Sequence, residues 1–382
     1  MENYYRKFRY YTFIMILFLF TWELVYVLSR LTKLSNDSSV KNRKTKFILL
    51  YEVPDWMDEI HILDNDNDCV VTRDRQYFSD IREFDALVFS GSDPWSARHV
   101  FPKQRSPHQY YVFADLESPY FTLHKFSTVL SEEIYNLTMT YRRDSDIYWP
   151  YGFITDRTID YVSDLEVPEW QSPIFEKDDQ ALKHLQTKNK TAAWFVSHCP
   201  VPSNRTALVA ALKKSIDVDI YGKCGTLVCG RERTDECYEL AESQYFFYFS
   251  FENSLCKDYL TEKIFNIMKY YIVPVVYGGA NYSHYLPPHS FIDASSFPTA
   301  TELAKYLKYL IEHPEEYLKY FWWKKYYKNI STNLSYDNLC KKLDEFTSMR
   351  YMSDGQLVKT YKNISSWWEV DQCVKEPKIK FI

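Results

Sequence analysis

The stretch of residues 245–285, YFFYFSFENSLCKDYLTEKIFNIMKYYIVPVVYGGANYSHY, decides the fold class. Its aromatic and apolar run at 245–251 predicts a buried strand, and the apolar run at 272–277 predicts a second one. Between them, Asp258 is a candidate N-cap and residues 259–270 have helical spacing. A strand, a helix and another strand in this order are typical of an α/β fold with a parallel sheet.

Polar side chains follow the first of these strands, at the point where the predicted helix begins. Tyr259, Glu262 and Lys263 are spaced i, i+3 and i+4, which would place them on one helical face. A lysine beside a helix N-terminus suits a phosphate, and a glutamate can accept two hydrogen bonds from a ribose diol. Gly278 and Gly279 would let the backbone approach a ligand closely. The cluster predicts a nucleotide-sugar pocket; the alternative is an amphipathic helix with a solvated Glu–Lys pair.

Strands and helices alternate on both sides of this stretch. Further strands are predicted at 46–53, 86–89, 110–113, 192–197, 218–221 and 291–293, and further helices at 205–214, 302–311 and 314–327. A polar segment at 163–190 separates the two series and is interpreted as a linker. The pattern predicts two doubly wound parallel-sheet, Rossmann-like domains that face a cleft. Ligands bind at the carboxyl ends of such strands, where Glu117 follows the strand at 110–113.

The predicted organisation of the chain extends beyond these two domains. It comprises a cytoplasmic tail (1–9), a transmembrane helix (10–28), a stem (29–45), the N-terminal domain (46–170), a linker (171–190), the C-terminal domain (191–330) and a segment packing back on the body (331–382). The apolar run at 10–28 is long enough to span a hydrocarbon core, although it contains Glu23. A cleaved signal peptide is the alternative, but no convincing cleavage site follows the run.

Net charge bears on the partners of the chain, and sequons and cysteines indicate a lumenal, oxidising compartment. The net charge of −5 comes without a basic block, which argues against a nucleic-acid partner. Every N-x-S/T sequon follows the apolar run, as a lumenal body requires, and five are glycosylation candidates: Asn136, Asn189, Asn329, Asn333 and Asn363. The eight cysteines favour disulfides over zinc. One link is expected from Cys69 to Cys340 or Cys373.

The sequence FENSLCKDYLTEK at 251–263, followed by VPVVYGGANYSHYLPPHSFID at 273–293, resembles the signature of the α1,3-fucosyltransferase family, glycosyltransferase family 10. The resemblance extends over residues 103–321. It implies a GT-B type fold and inverting transfer of fucose from GDP-fucose to a GlcNAc hydroxyl of glycoprotein glycans, in an α1,3 linkage. The ESP sequence at 117–119 is similar to the family motif whose glutamate is the catalytic base, which gives that role to Glu117.

The resemblance also implies the donor-binding residues. Arg205 matches the arginine that contacts the diphosphate, and Lys263 would meet the same charge. The remaining donor candidates are Asn253, Tyr259 and Glu262, with Glu252, Gly278 and Gly279 as further ones. Asn204 heads a sequon beside Arg205, so it is expected to stay unmodified if Arg205 binds phosphate. No metal ion or other cofactor is expected to be required, although Mn²⁺ or Mg²⁺ could stimulate by screening the free diphosphate.

The resemblance leaves the acceptor open between the core GlcNAc of an N-glycan and a LacNAc-type antenna. It implies a single-pass type II protein of the Golgi membrane with a lumenal catalytic body. Two alternative functions remain. The D-x-D sequence of Asp144 and Asp146 is typical of a metal-dependent glycosyltransferase, which is the first alternative. Because the surrounding block resembles the fucosyltransferase family, we interpret these two residues with Arg142 and Arg143 as an ion-pair network. The chain could also be a non-catalytic lumenal lectin on the same fold.

Overall fold

The computed structural model describes residues 45–54, 57, 69–92, 101–122, 133–158, 168–230, 234–331, 335–352, 360–374 and 379–381. The predicted tail, the predicted transmembrane helix at 10–28 and the stem up to residue 44 lie outside these residues. Within the described ranges, no helix is long and apolar enough to cross a bilayer.

The N-terminal half of the described chain forms one parallel sheet. Its strands are β1 (Lys46–Glu52), β2 (Cys69–Thr72), β3 (Ala86–Ser90), β4 (Tyr110–Asp115), β5 (Leu137–Thr140) and β6 (Ile147–Tyr148). They lie in the order β2-β1-β3-β4-β5-β6, and each neighbouring pair is parallel. Every residue of β3 and β4 is buried, which explains their continuous apolar sequence. The strands predicted at 46–53, 86–89 and 110–113 are confirmed.

The C-terminal half forms a second parallel sheet. Its strands are β8 (Lys190–Phe195), β9 (Val218–Tyr221), β10 (Tyr245–Phe251), β11 (Val273–Tyr277) and β12 (Ile292–Asp293). The order is β12-β11-β10-β8-β9, so the aromatic strand β10 lies at the centre, as its burial requires. The α/β class with parallel sheets is therefore confirmed. A separate antiparallel pair joins β7 (Gly152–Asp156) to β13 (Tyr327–Ser331).

Helices connect the strands of both sheets. The α-helices of the described ranges are α1 (Pro119–Thr122), α2 (Asp179–Leu185), α3 (Arg205–Leu212), α4 (Thr234–Gln244), α5 (Glu262–Ile267), α6 (Ala300–Glu312), α7 (Pro314–Leu318), α8 (Ser335–Met352) and α9 (Ile364–Glu369). The helix predicted at 314–327 is wrong in its second half, where a 3₁₀ helix (Lys319–Lys325) leads into β13. Helix α2 lies inside the segment interpreted as a linker.

The helix predicted at 259–270 is also shorter than expected. Asp258 is not its N-cap, because Asp258 adopts a left-handed conformation with φ of 59°. Thr261 occupies the N-cap position instead, and the Glu252 carboxylate accepts hydrogen bonds from both its backbone N–H and its hydroxyl. The buried carboxylate at the end of β10 therefore fixes where α5 begins.

The C-terminal segment packs against the first sheet. Leu339 and Leu343 of α8 and Trp368 of α9 belong to the same hydrophobic core as β3 and β4. Disulfides join Cys69 to Cys340, Cys199 to Cys224, Cys229 to Cys237 and Cys256 to Cys373. The preference for disulfides is confirmed, and of the two links considered for Cys69 the one to Cys340 is correct.

Candidate active site

A cleft of about 340 Å³ lies between the carboxyl ends of the two sheets. Glu117, which follows β4, lines it from the first sheet. Residues around the ends of β8 and β10 line it from the second sheet. They include five residues that the sequence predicted to bind the donor: Arg205, Asn253, Tyr259, Glu262 and Lys263. The structure therefore brings these six predicted residues together around one cavity, although they come from segments far apart in the sequence.

Glu117 is held by contacts on both sides of the cleft. Its backbone N–H donates to Asp115 Oδ1 at 2.8 Å, which fixes the turn after β4. Its carboxylate Oε2 accepts a hydrogen bond from the Tyr259 hydroxyl at 3.2 Å. The next residue, Ser118, is fully buried and donates to Ser254 of the second sheet's side at 2.7 Å. Glu117 thus faces the cavity from a turn that is fixed to both halves of the molecule.

Tyr259 reaches the cleft by a route different from the one its spacing suggested. It precedes α5, so it does not share a helical face with Glu262 and Lys263. Its side chain is 1% exposed, and its ring lies 5.0 Å from that of Tyr141 of the first sheet's core. The predicted role for Tyr259 at the cleft is compatible with this position, but the helical argument for it is wrong.

Arg205 begins α3, as predicted, and its guanidinium turns inward. It is 3% exposed and donates to the carbonyl oxygens of Phe251 at 2.5 Å and His198 at 3.1 Å. Its Nε finds no hydrogen-bond partner among the described residues. Burial lowers the pKa of Arg205, and the Glu252 carboxylate opposes that effect. The side chain is a buried cation that ties the ends of two strands together beside the cavity.

Lys263 forms the centre of a charged cluster at the start of α5. Its Nζ lies 3.2 Å from Glu252 Oε2, 3.2 Å from Glu262 Oε1 and 2.7 Å from Thr261 Oγ1. Burial disfavours the ammonium, but Glu252 and Glu262 outweigh it and keep the pKa of Lys263 above its ordinary value. Lys263 is therefore charged at the cavity wall, while the Glu262 side chain is half exposed.

Asn253 offers an acceptor that the protein does not use. Its Oδ1 is buried and has no hydrogen-bond partner among the described residues, although the residue lines the cavity. A buried amide oxygen without a partner is costly, so this atom is available to a donor group on a ligand.

Three further candidates do not line the cleft. Glu252 is 1% exposed and caps α5 while pairing with Lys263. A Cβ on Gly279 would meet the backbone of Leu255 and Cys256 at 2.5 Å, and one on Gly278 would meet the Tyr282 hydroxyl at 2.5 Å. The two glycines therefore allow close packing of the chain on itself, and their contact with a ligand stays a prediction.

Sequence reasoning missed the aromatic end of the cavity. Phe195 and Tyr221, the last residues of β8 and β9, line it together with Tyr238 and Tyr248 and the Cys229–Cys237 disulfide. The rule that ligands lie at the carboxyl ends of parallel strands would have found the first two. The cavity therefore has a charged end near Glu117 and an aromatic end near β9.

The D-x-D pair lies away from this cavity. The Asp144 carboxylate pairs with Arg142 at 2.6 Å, whereas Asp146 accepts hydrogen bonds from Thr138 and Tyr361. The two carboxylates thus have different partners, in agreement with an ion-pair network. In the described part of the chain, no cluster of three or more His, Cys, Asp or Glu side chains is arranged to hold a metal ion.

Comparisons with known proteins agree with these features. The model "Glycosyltransferase family 10 (fucosyltransferase) C-term" matches residues 185–367, and "Fucosyltransferase, N-terminal" matches residues 43–152. Alpha-(1,3)-fucosyltransferase C of Drosophila melanogaster is 41% identical over 314 residues, covering 82% of this chain and 71% of the relative. The Homo sapiens protein 4-galactosyl-N-acetylglucosaminide 3-alpha-L-fucosyltransferase 9 is 33% identical over 298 residues, covering 77% and 75%.

One solved structure shows the same fold. It is an α1,3-fucosyltransferase with GDP-fucose, which matches with a TM-score of 0.51 and 16% identity over 79% of this chain and 90% of that one. At this identity, the likeness concerns the fold alone.

Proposed function

The chain belongs to glycosyltransferase family 10, the fucosyltransferases, and on that premise we propose that it transfers fucose from GDP-fucose to a GlcNAc hydroxyl of glycoprotein glycans. The product has an α1,3 linkage, and the anomeric configuration is inverted. One observation carries this proposal: a carboxylate, Glu117, faces two cations across one cleft, the buried Arg205 and the partly exposed Lys263. An inverting transfer needs a base on one side of the sugar and positive charge on the other.

Glu117 takes the proton from the attacking hydroxyl. The turn after β4 presents its carboxylate to the cavity, with one oxygen already in a hydrogen bond with Tyr259. The acceptor hydroxyl approaches from the side of the first sheet, attacks the anomeric carbon from the face opposite the diphosphate and transfers its proton to Glu117. The GDP product leaves with the bonding electron pair.

The second sheet stabilises the leaving diphosphate. Lys263 supplies a positive charge at the cavity wall, and Arg205 supplies a second positive charge that is buried beside the cavity. The two cations are fixed by protein contacts, so they need little reorganisation as negative charge develops. Asn253 and Tyr259 contact the diphosphate or ribose, and the half-exposed Glu262 accepts hydrogen bonds from the ribose hydroxyls. The aromatic end of the cavity suits the planar base.

Transfer in this scheme requires no metal ion, and Mn²⁺ or Mg²⁺ would stimulate only by screening the released diphosphate.

The catalytic body works in the Golgi lumen, and the apolar segment at 10–28 anchors the chain in the membrane as a single-pass type II protein. The four disulfides among the described residues support an oxidising compartment. The domain boundaries proposed above divide this body into an acceptor side (46–170) and a donor side (191–330).

The test is transfer of radiolabelled fucose from GDP-fucose by the full-length chain. Two acceptors are offered: an N-glycan core and a Galβ1,4GlcNAc antenna, the second because the human relative's name describes a 4-galactosyl-N-acetylglucosaminide. We expect label on one of them, abolished by Glu117→Gln while GDP-fucose binding persists. Asp144→Asn is the matched control, since it retains an acceptor oxygen for Arg142, and it should transfer normally with chelator present. Full transfer by Glu117→Gln would overturn the assignment of the base.

A further inference from the structure

Two of the residues on the donor side of the cleft, Asn253 and Tyr259, belong to one loop between β10 and α5. We call residues 253–259 the donor loop; Asn253 and Tyr259 at its two ends line the cavity. Cys256 lies in its middle, fully buried, and is linked to Cys373 by a disulfide. The function proposed above uses both ends of this loop but gives no role to its cysteine.

The partner of that cysteine belongs to a segment that consists of α9 and the residues after it. We call residues 364–374 the C-terminal strap. Beyond the disulfide, the Lys257 N–H donates to the Gln372 carbonyl at 2.7 Å, and the Val374 N–H donates to the Leu255 carbonyl at 2.8 Å. The strap therefore runs as a short antiparallel partner of the donor loop, with the disulfide between the two hydrogen bonds.

The other end of the strap is anchored on the acceptor side, next to Glu117. Trp368 is fully buried, and its Nε1 donates to Thr122 Oγ1 of α1 at 2.7 Å. Its ring lies 5.5 Å from that of Phe113 in β4, the strand that leads to Glu117. The guanidinium of Arg142 lies 4.0 Å from the ring centroid of the neighbouring Trp367. The strap thus packs on both elements that flank the proposed base.

These two attachments connect the proposed base to the donor loop through the strap. We propose that the C-terminal strap is a positioning element, which rests on the function proposed above: it holds the donor loop at a fixed distance from Glu117. The Cys256–Cys373 disulfide is the covalent connection in this arrangement, and it reinforces the direct hydrogen bonds of Tyr259 with Glu117 and of Ser118 with Ser254. The strap aligns the anomeric carbon with the acceptor hydroxyl. A misplacement of about 1 Å in such an alignment can cost about 100-fold in rate.

The donor loop has separate attachments to its own sheet. Ser203 donates its backbone N–H to the Asn253 carbonyl at 2.9 Å and its hydroxyl to the Glu252 carbonyl at 2.7 Å. Gly279 packs directly against the backbone of Leu255 and Cys256. These contacts do not involve the strap. Loss of the disulfide should therefore disturb the loop's position relative to Glu117 more than its position relative to Arg205 and Lys263.

The experiment compares two disulfide variants of the full-length chain. Cys256→Ala with Cys373→Ala releases the strap from the donor loop. Cys69→Ala with Cys340→Ala is the matched control, because that disulfide also links the C-terminal segment to the body but joins α8 to β2, away from the cleft. Each variant is assayed for thermal unfolding, for GDP-fucose binding and for transfer at saturating acceptor.

We expect both variants to unfold at lower temperature than the wild type. In the strap variant, kcat for transfer should fall about tenfold or more while the Kd for GDP-fucose changes less than about threefold. The control should keep both values near those of the wild type. Equal kcat in the strap variant and the control would overturn the proposal, as would a loss of donor affinity that accounts for the whole loss of rate.

A second variant covers the case in which the strap variant does not fold. Thr122→Val keeps the disulfide and removes the hydroxyl that accepts from Trp368. It should lower kcat without changing the GDP-fucose Kd, and an unchanged kcat in this folded variant would refute the strap's role. A wild-type chain that transfers fucose to no acceptor would instead refute the proposed function, so the two failures are distinguishable.

Discussion

The phenolic oxygen of Tyr259 lies 3.2 Å from Oε2 of Glu117, although the two residues are 142 positions apart in the chain. Glu117 follows the strand β4 of the first sheet, and Tyr259 ends the donor loop of the second. The buried hydrogen bond between Ser118 and Ser254 crosses the same boundary beside it. The proposed base is therefore oriented by the side of the cleft that would bind the donor.

Tyr259→Phe tests the contribution of this hydrogen bond. Without the hydroxyl, the Glu117 carboxylate loses a donor that orients it, so kcat for transfer should fall about tenfold, as expected for the loss of one hydrogen bond to a charged group. Initial rates at saturating GDP-fucose and acceptor provide the measurement. Tyr317→Phe is the control, because its buried hydroxyl donates to the Phe246 carbonyl, away from the cleft and the donor loop. Equal rates in the two variants would contradict the prediction.

Lys263→Ala should affect both turnover and stability. Turnover should fall about 100-fold or more, because a fixed cation no longer meets the leaving diphosphate. The free energy of unfolding should fall by about 3 kcal/mol, because the buried Glu252 carboxylate loses its cationic partner. Fluorescence-monitored urea unfolding and initial rates measure the two effects.

The double variant Lys263→Ala with Glu252→Gln separates those effects. Glutamine keeps an oxygen that accepts from Thr261 but carries no charge, so the double variant should regain most of the stability. It should not regain turnover. Recovery of both quantities would mean that Lys263 serves only to neutralise Glu252.

The sequence predicted which residues lie together around the cleft better than it predicted the secondary structure of those residues. The buried aromatic run at 245–251 predicted the central strand β10, and the polar cluster after it predicted the position of the cleft. The spacing of Tyr259 and Lys263 was interpreted as one helical face, yet the chain before Thr261 is not helical because Asp258 turns it with a positive φ. Tertiary contacts overrode local periodicity there.

Features that depend on packing between distant parts of the chain could not be predicted from a single sequence. Gly279 is explained by backbone atoms of Leu255 and Cys256 in the donor loop, which the local sequence does not place beside it. The pairing of Cys256 with Cys373 joins residues 117 positions apart, and eight cysteines permit many pairings. The strand β13 was missed because its partner β7 lies in the first half of the chain.

Glycan occupancy should follow exposure of the sequons. Asn136 is 1% exposed, and its Oδ1 accepts from the Tyr111 N–H, so we expect the folded chain to carry no glycan there. Asn329 donates its amide N–H to the Phe265 carbonyl, so the nitrogen that would carry a glycan is already engaged and we expect none there either. Asn189 and Asn363 are exposed and should be occupied. Asn333 lies outside the described residues.

Enzymatic deglycosylation in heavy-oxygen water followed by peptide mass spectrometry measures each site. A glycan on Asn136 or Asn329 of the folded, active chain would contradict the prediction.

Asn204 heads a further sequon, and its position does not create the steric conflict with Arg205 that the sequence led us to expect. It is exposed at the N-cap position of α3, whereas the guanidinium of Arg205 turns into the interior, so a glycan there should leave transfer unaffected.

Asp115→Asn should change how stability depends on pH. Asp115 is fully buried, and burial raises the pKa of its carboxyl well above the ordinary value. In the unfolded chain the same group ionises near pH 3.9. Between those two values the folded state holds more protons than the unfolded state, so this group makes stability fall as pH rises from about 4.

The asparagine variant removes that dependence and keeps an oxygen for the Glu117 N–H. It should therefore be more stable than the wild type at neutral pH, with an advantage that shrinks as the pH approaches 4. Urea unfolding at several pH values measures the difference in the free energy of unfolding between the two proteins.

Asp80→Asn is the opposite case, because the side-chain hydrogen bond from Arg82 lowers the pKa of Asp80. Loss of this carboxylate should destabilise the protein at neutral pH and less so in acid. A constant difference between Asp115→Asn and the wild type across this pH range would show that Asp115 is ionised in the folded protein.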